Sequence, residues 1–249
     1  MDDLTQDKFL CGKLQLWQPR LGYRAATDPV LLAAACPALP GQSVLDLGCG
    51  VGAAALCLAA RVPELRLSGL EVQAEYAALA RRNAAENGIP MQIEIGDLAD
   101  MPKALRVDFD HVIANPPYYP KGGTRSPNAG RAVALQIDTP LSDWVQAASR
   151  RLAPGGWLTL ICGADGLPEV LAAMGTKLGS ASVLPLTARV GKPALRIILR
   201  ARKTGRAAFR LLAPFVIHHG ASHDGDRESY TARASEILRG GESLSDEFR

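Results

Sequence analysis

Val44-Leu45-Asp46-Leu47-Gly48-Cys49-Gly50-Val51-Gly52 is the stretch on which the fold turns. An apolar strand runs into three glycines, and Ala53–Ala60 follows with the small residues of a closely packed helix. Glycine takes positive φ without penalty and lets a ligand approach the backbone, so this reads as a strand, a ligand loop and a helix. The third glycine comes too early for the G-x-G-x-x-G of dinucleotide sites. Asp46 is also out of place beside a pyrophosphate, which its charge would repel.

A carboxylate at Asp46 suits a cationic amino-acid end instead, such as the ammonium of S-adenosylmethionine. The next apolar run, Leu67–Leu70, ends in Glu71-Val72, where an acid about 20 positions after the loop fits a ribose diol. Helical spacing over Gln73–Asn87 stops at Asn87-Gly88. Met91–Ile95 is a third strand, leading to Gly96-Asp97-Leu98. Asp97 can accept from an adenine amino group or can cap the segment that follows.

Phe109–Ala114 is a fourth strand that ends in Asn115-Pro116-Pro117-Tyr118. Proline lacks a backbone N–H and biases its predecessor to extended geometry, so the strand stops with Asn115 at its carboxyl end. A Pro-Pro pair can simply end a strand, but a purine exocyclic amine would find help here. Its lone pair is delocalised into the ring, and acceptors for both N–H groups shift the nitrogen toward sp³. The Asn115 side-chain oxygen and the Pro116 carbonyl are such acceptors, Pro117 holds the turn, and Tyr118 offers a stacking face.

Beyond residues 119–140, a long polar loop, Leu141–Leu152 reads as an amphipathic helix and Trp157–Cys162 as a fifth strand after the turn Pro154–Gly156. A helix near Leu167–Leu178 precedes two runs, Ser182–Leu186 and Leu195–Ala201, that can pair as an edge hairpin. Ala208–Ile217 and Ser229–Leu238 read as a further strand and helix. Upstream, Leu14–Arg20 is strand-like, and Asp28 can cap a helix that has Pro29 at its first position. Strands alternating with helices predict an α/β fold, doubly wound about a mainly parallel sheet. A single domain is expected, with residues 1–40 as an arm and helix, 41–205 as a core and 206–249 as an extension.

Composition agrees with a globular chain: 47% hydrophobic and 21% charged among 249 residues. No signal peptide is expected, because no long apolar run follows Met1-Asp2-Asp3, and the apolar stretches are too short to span a bilayer. Five scattered cysteines without a CxxC pair point to buried thiols in a cytoplasmic protein rather than to disulfides or zinc. His218, His219 and His223 have no accompanying cluster, and no metal is expected. Net charge is +3 but uneven: residues 1–120 carry 10 Lys/Arg against 14 Asp/Glu, residues 121–210 carry 14 against 4, and residues 211–249 carry 4 against 7. The basic block suggests a polyanionic partner, with Lys121, Arg125 and Arg131 as contacts, or else an ordinary solvated surface. Arg196, Arg200, Arg202 and Lys203 alternate along the last run as a solvated, aggregation-resistant edge would.

Taken together, Asp46–Gly52, Glu71, Asp97 and Asn115–Tyr118 at successive strand ends resemble the class I S-adenosylmethionine-dependent methyltransferases, whose Rossmann-like sheet has seven strands and an antiparallel edge hairpin. Gln18-Pro19, Gly22-Tyr23-Arg24, Asp28, Asn115–Pro120, Leu152–Gly156 and Phe215–His218 are similar to bacterial tRNA(Val) adenine-N6 methyltransferases. That resemblance implies S-adenosylmethionine as cofactor, tRNA as partner and N6-methyladenosine beside the anticodon as product. Asp46, Gly48, Gly50, Gly52, Glu71, Val72, Asp97, Leu98 and Asn115 are the expected cofactor residues. The polar arm is expected to fold over the methionine end through Tyr23, Arg24 and Thr27 and to order on binding. Release-factor glutamine methyltransferases use the same four-residue motif, so a protein glutamine is the alternative acceptor. A catalytically inactive RNA-binding module of this fold is the alternative of another class.

Overall fold

The computed structural model describes residues 3–117, 139–220 and 229–249. An antiparallel pair, β1 (Leu4–Phe9) and β2 (Leu14–Pro19), comes first, followed by α1 (Thr27–Ala35). Strands and helices then alternate: β3 (Ser43–Leu47), α2 (Ala53–Arg61), β4 (Arg66–Glu71), α3 (Ala74–Glu86), β5 (Met91–Ile95) and β6 (Phe109–Ala114). The second half holds α4 (Leu141–Arg151), β7 (Leu152–Gly163), α5 (Leu167–Met174), β8 (Leu178–Thr187) and β9 (Ala194–Lys203). Two-residue strands β10 (Arg210–Leu211) and β11 (Phe215–Val216) and the short helix α6 (Ala232–Ser235) complete the chain.

The long strands lie in the order β5-β4-β3-β6-β7-β9-β8, and β10 and β11 both pair with β8. Only β9 of these seven runs against its neighbours. Alternate residues along each strand serve opposite cores. Val44, Ile113, Ile161 and Ile198 face the side of α1 and α2, while Leu45, Val112, Leu160 and Leu199 face α4 and α5. A sheet covered on both faces needs apolar residues in succession, which is why these strands read as unbroken hydrophobic runs.

The structure departs from expectation at its last strands. Ala208–Ile217 is not one strand, because Pro214 separates β10 from β11. Nor is the basic run a solvated edge, since β9 lies between β7 and β8. Arg196 pairs with Asp28, and buried Arg200 donates to the Ala35 carbonyl and lies 3.7 Å from the Phe248 ring centroid. Arg202 donates to Gly155 O at 2.9 Å and Lys203 to Leu152 O. Asp28 sits in the first turn of α1 rather than capping it. Arg196, Arg200, Arg202 and Lys203, four of the fourteen basic residues in 121–210, therefore bond within the fold.

Order in the sheet reverses at β3, which leads to β4 and β5 on one side while β6 and β7 lie on the other. Ligand crevices form at the carboxyl ends of such a switch point. Leu47 pairs with Ala114, so Gly48 and Asn115 leave adjacent strand ends together.

The N-terminal hairpin docks on α3 through two asparagines one turn apart. Asn83 accepts from Trp17 N at 2.7 Å and donates to Trp17 O at 3.1 Å and to Val51 O at 2.9 Å. Asn87 likewise accepts from Gln15 N at 3.0 Å and donates to Gln15 O at 2.8 Å. The two amides thus satisfy the backbone of β2 as a neighbouring strand would. Asn83→Ala leaves Trp17 N–H and Val51 O unsatisfied at a buried site, and should cost on the order of 1–3 kcal/mol. Urea denaturation measures that loss, and amide exchange should show faster opening of residues 14–19 than of the main sheet.

Candidate active site

Backbone geometry makes the glycine loop a shallow cradle. Gly48, Gly50 and Gly52 have φ of 66°, 55° and 85°. A Cβ on Gly48 would stand 2.6 Å from the Trp144 ring, so even alanine would displace the indole. Glu71 pins the loop from the next strand: its carboxylate accepts from Gly50 N and from Gln73 N, each at 2.9 Å. Cys49 N also donates to Leu70 O at 3.0 Å. Asp46 lies beneath, accepting from Ala55 N at 3.3 Å in the first turn of α2.

Asp46 and Glu71 are each only 2% exposed. Burial pushes the Asp46 carboxyl up to about 8; Ala55 N–H opposes this, and the neighbouring charge of Glu71 adds to it. Both acids line a cleft with about 740 Å³ of empty space, open in part to solvent. A recess of about 340 Å³ adjoins it, walled by Val72, Asp97 and Leu98 and sharing Gly48 and Trp144 with the main cleft.

Residues between β2 and α1 close one side. Gln18, 1% exposed, accepts from Ala25 N at 2.7 Å and donates to Ala25 O at 3.2 Å and to Asp7 at 2.8 Å. Arg24 donates to Asp7 at 2.6 Å, to Thr5 at 2.8 Å and to Pro19 O at 2.9 Å. These bonds fix the arm with protein groups alone and present Tyr23 to the cleft. The Tyr76 hydroxyl donates to Tyr23 O at 3.1 Å, and Asn115 Nδ2 donates to the Tyr23 hydroxyl at 3.0 Å. Tyr23 is 47% exposed as a residue, yet desolvation of its hydroxyl, with Asp46 next in weight, raises it to about 12.

Tyr23, Asp46, Gly48, Gly50, Glu71, Asn115 and Pro117 line the main cleft, and Val72, Asp97 and Leu98 line the recess. Pro116 is buried at the end of β6. Asp97 accepts from Ala99 N at 2.8 Å, so it organises its own turn as well. Arg24 and Thr27 line neither space; they line a separate cavity with Asp7, Lys8 and Phe9, where Arg24 clamps β1 to β2. Gly52 sits at the start of α2 and shapes the loop from outside the cleft. Tyr118, Lys121, Arg125, Arg131 and His223 lie outside the described residues. His218 stacks on Tyr230, and among the described residues no group of His, Cys, Asp and Glu could hold a metal ion.

Sequence reasoning missed Trp144, Tyr76 and Gln73. Trp144 and Tyr76 sit on the apolar faces of α4 and α3, where a core residue and a cleft wall give the same pattern.

The cleft can be tested against S-adenosylmethionine by its charges. No lysine, arginine or histidine lines either space among the described residues. Two buried acids without a cationic neighbour in the wall fit a ligand that brings its own positive charge and hydroxyls, and reject a phosphate.

Residues 27–185 match the family described as methyltransferase small domain. A tRNA1(Val) (adenine(37)-N6)-methyltransferase of Porphyromonas gingivalis is 33% identical over 177 residues, 67% of this chain and 69% of that protein. A 4-amino-L-phenylalanine/4-methylamino-L-phenylalanine methyltransferase of Streptomyces pristinaespiralis is 37% identical over 140 residues, 51% of this chain and 46% of that one. Among solved structures, one described as a predicted O-methyltransferase from Agrobacterium tumefaciens has a TM-score of 0.68 at 28% identity, covering 87% of this chain and 97% of that one.

The raised Asp46 carboxyl sets a pH dependence. Below about 8 the ligand-free site holds a proton on Asp46, which a cation seated against that carboxyl would expel. S-adenosylmethionine affinity should therefore rise with pH, by up to about tenfold per unit, and level off above 8. Calorimetry at pH 7 in buffers of different ionisation enthalpy should register proton release, and Asp46→Asn should abolish both effects. In the ligand-free protein the folded state keeps a proton that the unfolded chain has lost, so this group's contribution makes stability fall as pH rises from about 4 to 8.

Proposed function

We infer from the family to which the chain belongs, the methyltransferase small domain family, and from its active cleft, that this enzyme methylates the N6 amine of an adenine in tRNA with S-adenosylmethionine as methyl donor. The observation that carries the reading is Asn115 at the end of β6. Its Nδ2 is engaged by Tyr23 while its Oδ1 accepts from no described residue, which leaves an acceptor aimed for an incoming amine. A relative named for methylating adenine 37 of tRNA1(Val) supports the acceptor, and the relative named for 4-amino-L-phenylalanine also acts on an aromatic amine.

When bound, the cofactor supplies an electrophilic methyl on a sulfonium. Asp46 takes its ammonium, Glu71 its ribose hydroxyls, and the recess beside Val72, Asp97 and Leu98 its adenine. Glu71 already spends one lone pair of each oxygen on Gly50 and Gln73, so the diol meets a carboxylate that cannot swing away. Asn115 Oδ1 and the Pro116 carbonyl accept the two amine hydrogens and localise the nitrogen lone pair. Their positions are set before the substrate arrives, which removes the cost of organising them. Neither group is a base, and none is needed, because an amine loses its proton after the methyl has moved. An oxygen acceptor, by contrast, would need a base at this point in the cleft.

Tyr118 stacks the flipped base in this reading, and Lys121, Arg125 and Arg131 contact phosphates. With Arg196, Arg200, Arg202 and Lys203 engaged within the fold, those three residues carry a larger share of the RNA surface than their number in the basic block suggests. Residues 1–40 and 206–249 then serve one domain built on 41–205. No helix among the described residues is long and apolar enough to cross a membrane, and the reading assigns the enzyme to the cytoplasm with its tRNA.

Labelled S-adenosylmethionine with tRNA1(Val), the same tRNA carrying guanine at position 37, and a release factor tests the assignment. N6-methyladenosine from the first substrate alone is expected; label on a protein glutamine would instead establish the other acceptor. Asn115→Ala should slow transfer by about 10²-fold or more, as removal of a preorganised transition-state group does. Cofactor and tRNA affinities, measured by calorimetry and filter binding, should stay within a few-fold.

A further inference from the structure

The contact between Tyr23 and Asn115 joins parts of the chain 92 residues apart. An asparagine amide carries an acceptor at one end and a donor at the other, and half a turn about its last side-chain torsion exchanges them. That torsion is soft, with a broad, two-fold preference. At the end of β6 the exchange would put N–H groups where the substrate amine needs acceptors. Something must therefore hold the amide one way round.

We propose that Tyr23 is a positioning residue whose hydroxyl sets the orientation of the Asn115 amide. The inference rests on the reading that Asn115 Oδ1 accepts from the substrate amine. A hydroxyl can donate or accept, so the hydrogen bond alone does not choose an orientation. The acids do. Tyr23, Asp46 and Glu71 face the same cleft, and the negative charge of Glu71, joined by that of Asp46 once its proton is lost, draws the O–H hydrogen toward them. A tyrosine oxygen lone pair is left for Asn115, and only Nδ2–H can meet it, at 3.0 Å. Bonds aligned in series polarise one another, which strengthens the preference. With its hydroxyl raised to about 12, Tyr23 stays a neutral phenol throughout the working range.

The arm is built to hold the ring at this spot. Gln18 fixes both backbone groups of Ala25, Arg24 is tied to Asp7, and Tyr76 holds the Tyr23 carbonyl at 3.1 Å. This gives Arg24 its purpose. It does not touch the cleft, but it fixes the residue that does.

The test uses Tyr23→Phe, Asn115→Ala and the double variant, with protein labelled at asparagine nitrogen. The Asn115 side-chain NH₂ pair, assigned by its loss in Asn115→Ala, should shift in Tyr23→Phe without cofactor or RNA. Turnover should fall about tenfold while KM for the RNA and cofactor affinity stay within threefold, and Tyr23→Phe should add nothing to Asn115→Ala. An unmoved NH₂ pair, or an equal loss in both backgrounds, overturns the inference. A loss expressed in cofactor affinity rather than turnover also overturns it, since Tyr23 would then be only a cofactor wall. If Tyr23→Phe fails to fold, a nuclear Overhauser contact between the Tyr23 ring and the Asn115 NH₂ in the unaltered protein decides, and its absence overturns the inference. A rate untouched by Asn115→Ala overturns the functional reading itself, while the NH₂ resonances still report on the bond.

Discussion

Two carboxylates buried at the ends of adjacent parallel strands set the terms for this molecule. Asp46 on β3 and Glu71 on β4 are both nearly inaccessible, and no basic side chain lines their cleft among the described residues. An isolated carboxylate in such a place costs several kcal/mol unless it takes up a proton or meets a cation. Asp46 does the first in the ligand-free protein, and a cationic cofactor allows the second. Glu71 offsets part of its cost with two backbone N–H groups, and in doing so fixes the loop that carries Gly48 and Gly50. The same burial that disfavours the empty site would favour a ligand that brings a positive charge.

From that pair the influence spreads outward. Tyr23 shares the cleft with both acids, its hydroxyl accepts from Asn115, and Asn115 stands at the end of β6 on the same cleft. The arm that supplies Tyr23 is held by Gln18, Arg24 and Asp7, and the hairpin by Asn83 on α3 and Asn87 at its C-cap. A residue as far from the chemistry as Asn83 thus bears on the site by two routes, through Trp17 to the arm and through Val51 to the glycine loop.

How much of this could be read from the sequence depended on the range of the interaction. Strands β3 to β7 were legible because a sheet covered on both faces writes itself as apolar runs, and the loop was legible because positive φ selects glycine at Gly48, Gly50 and Gly52. Asn115 was legible because two prolines end its strand. Arg24 looked like a cofactor residue, because a charged residue beside a ligand loop and one that clamps a hairpin are alike until Asp7 is seen beside it. The basic residues of β9 suggested an exposed edge, because nothing local in an alternating strand reveals that it will lie between two others. Trp144 and the Tyr23–Asn115 contact were out of reach for the same reason: each partner is chosen by packing between elements distant in the chain.

The claim that the acidic pair is a receptor for the cofactor's positive charge is tested most directly by ligand comparison. Calorimetry of S-adenosylmethionine against an analogue lacking only the α-amino group, in the unaltered protein and in Asp46→Asn, isolates the interaction. The account predicts a preference of roughly 10- to 100-fold for the amine in the unaltered protein, the size of one charge-assisted hydrogen bond. That preference should shrink to a few-fold in Asp46→Asn. An equal preference in both proteins would contradict the account and place the ammonium elsewhere.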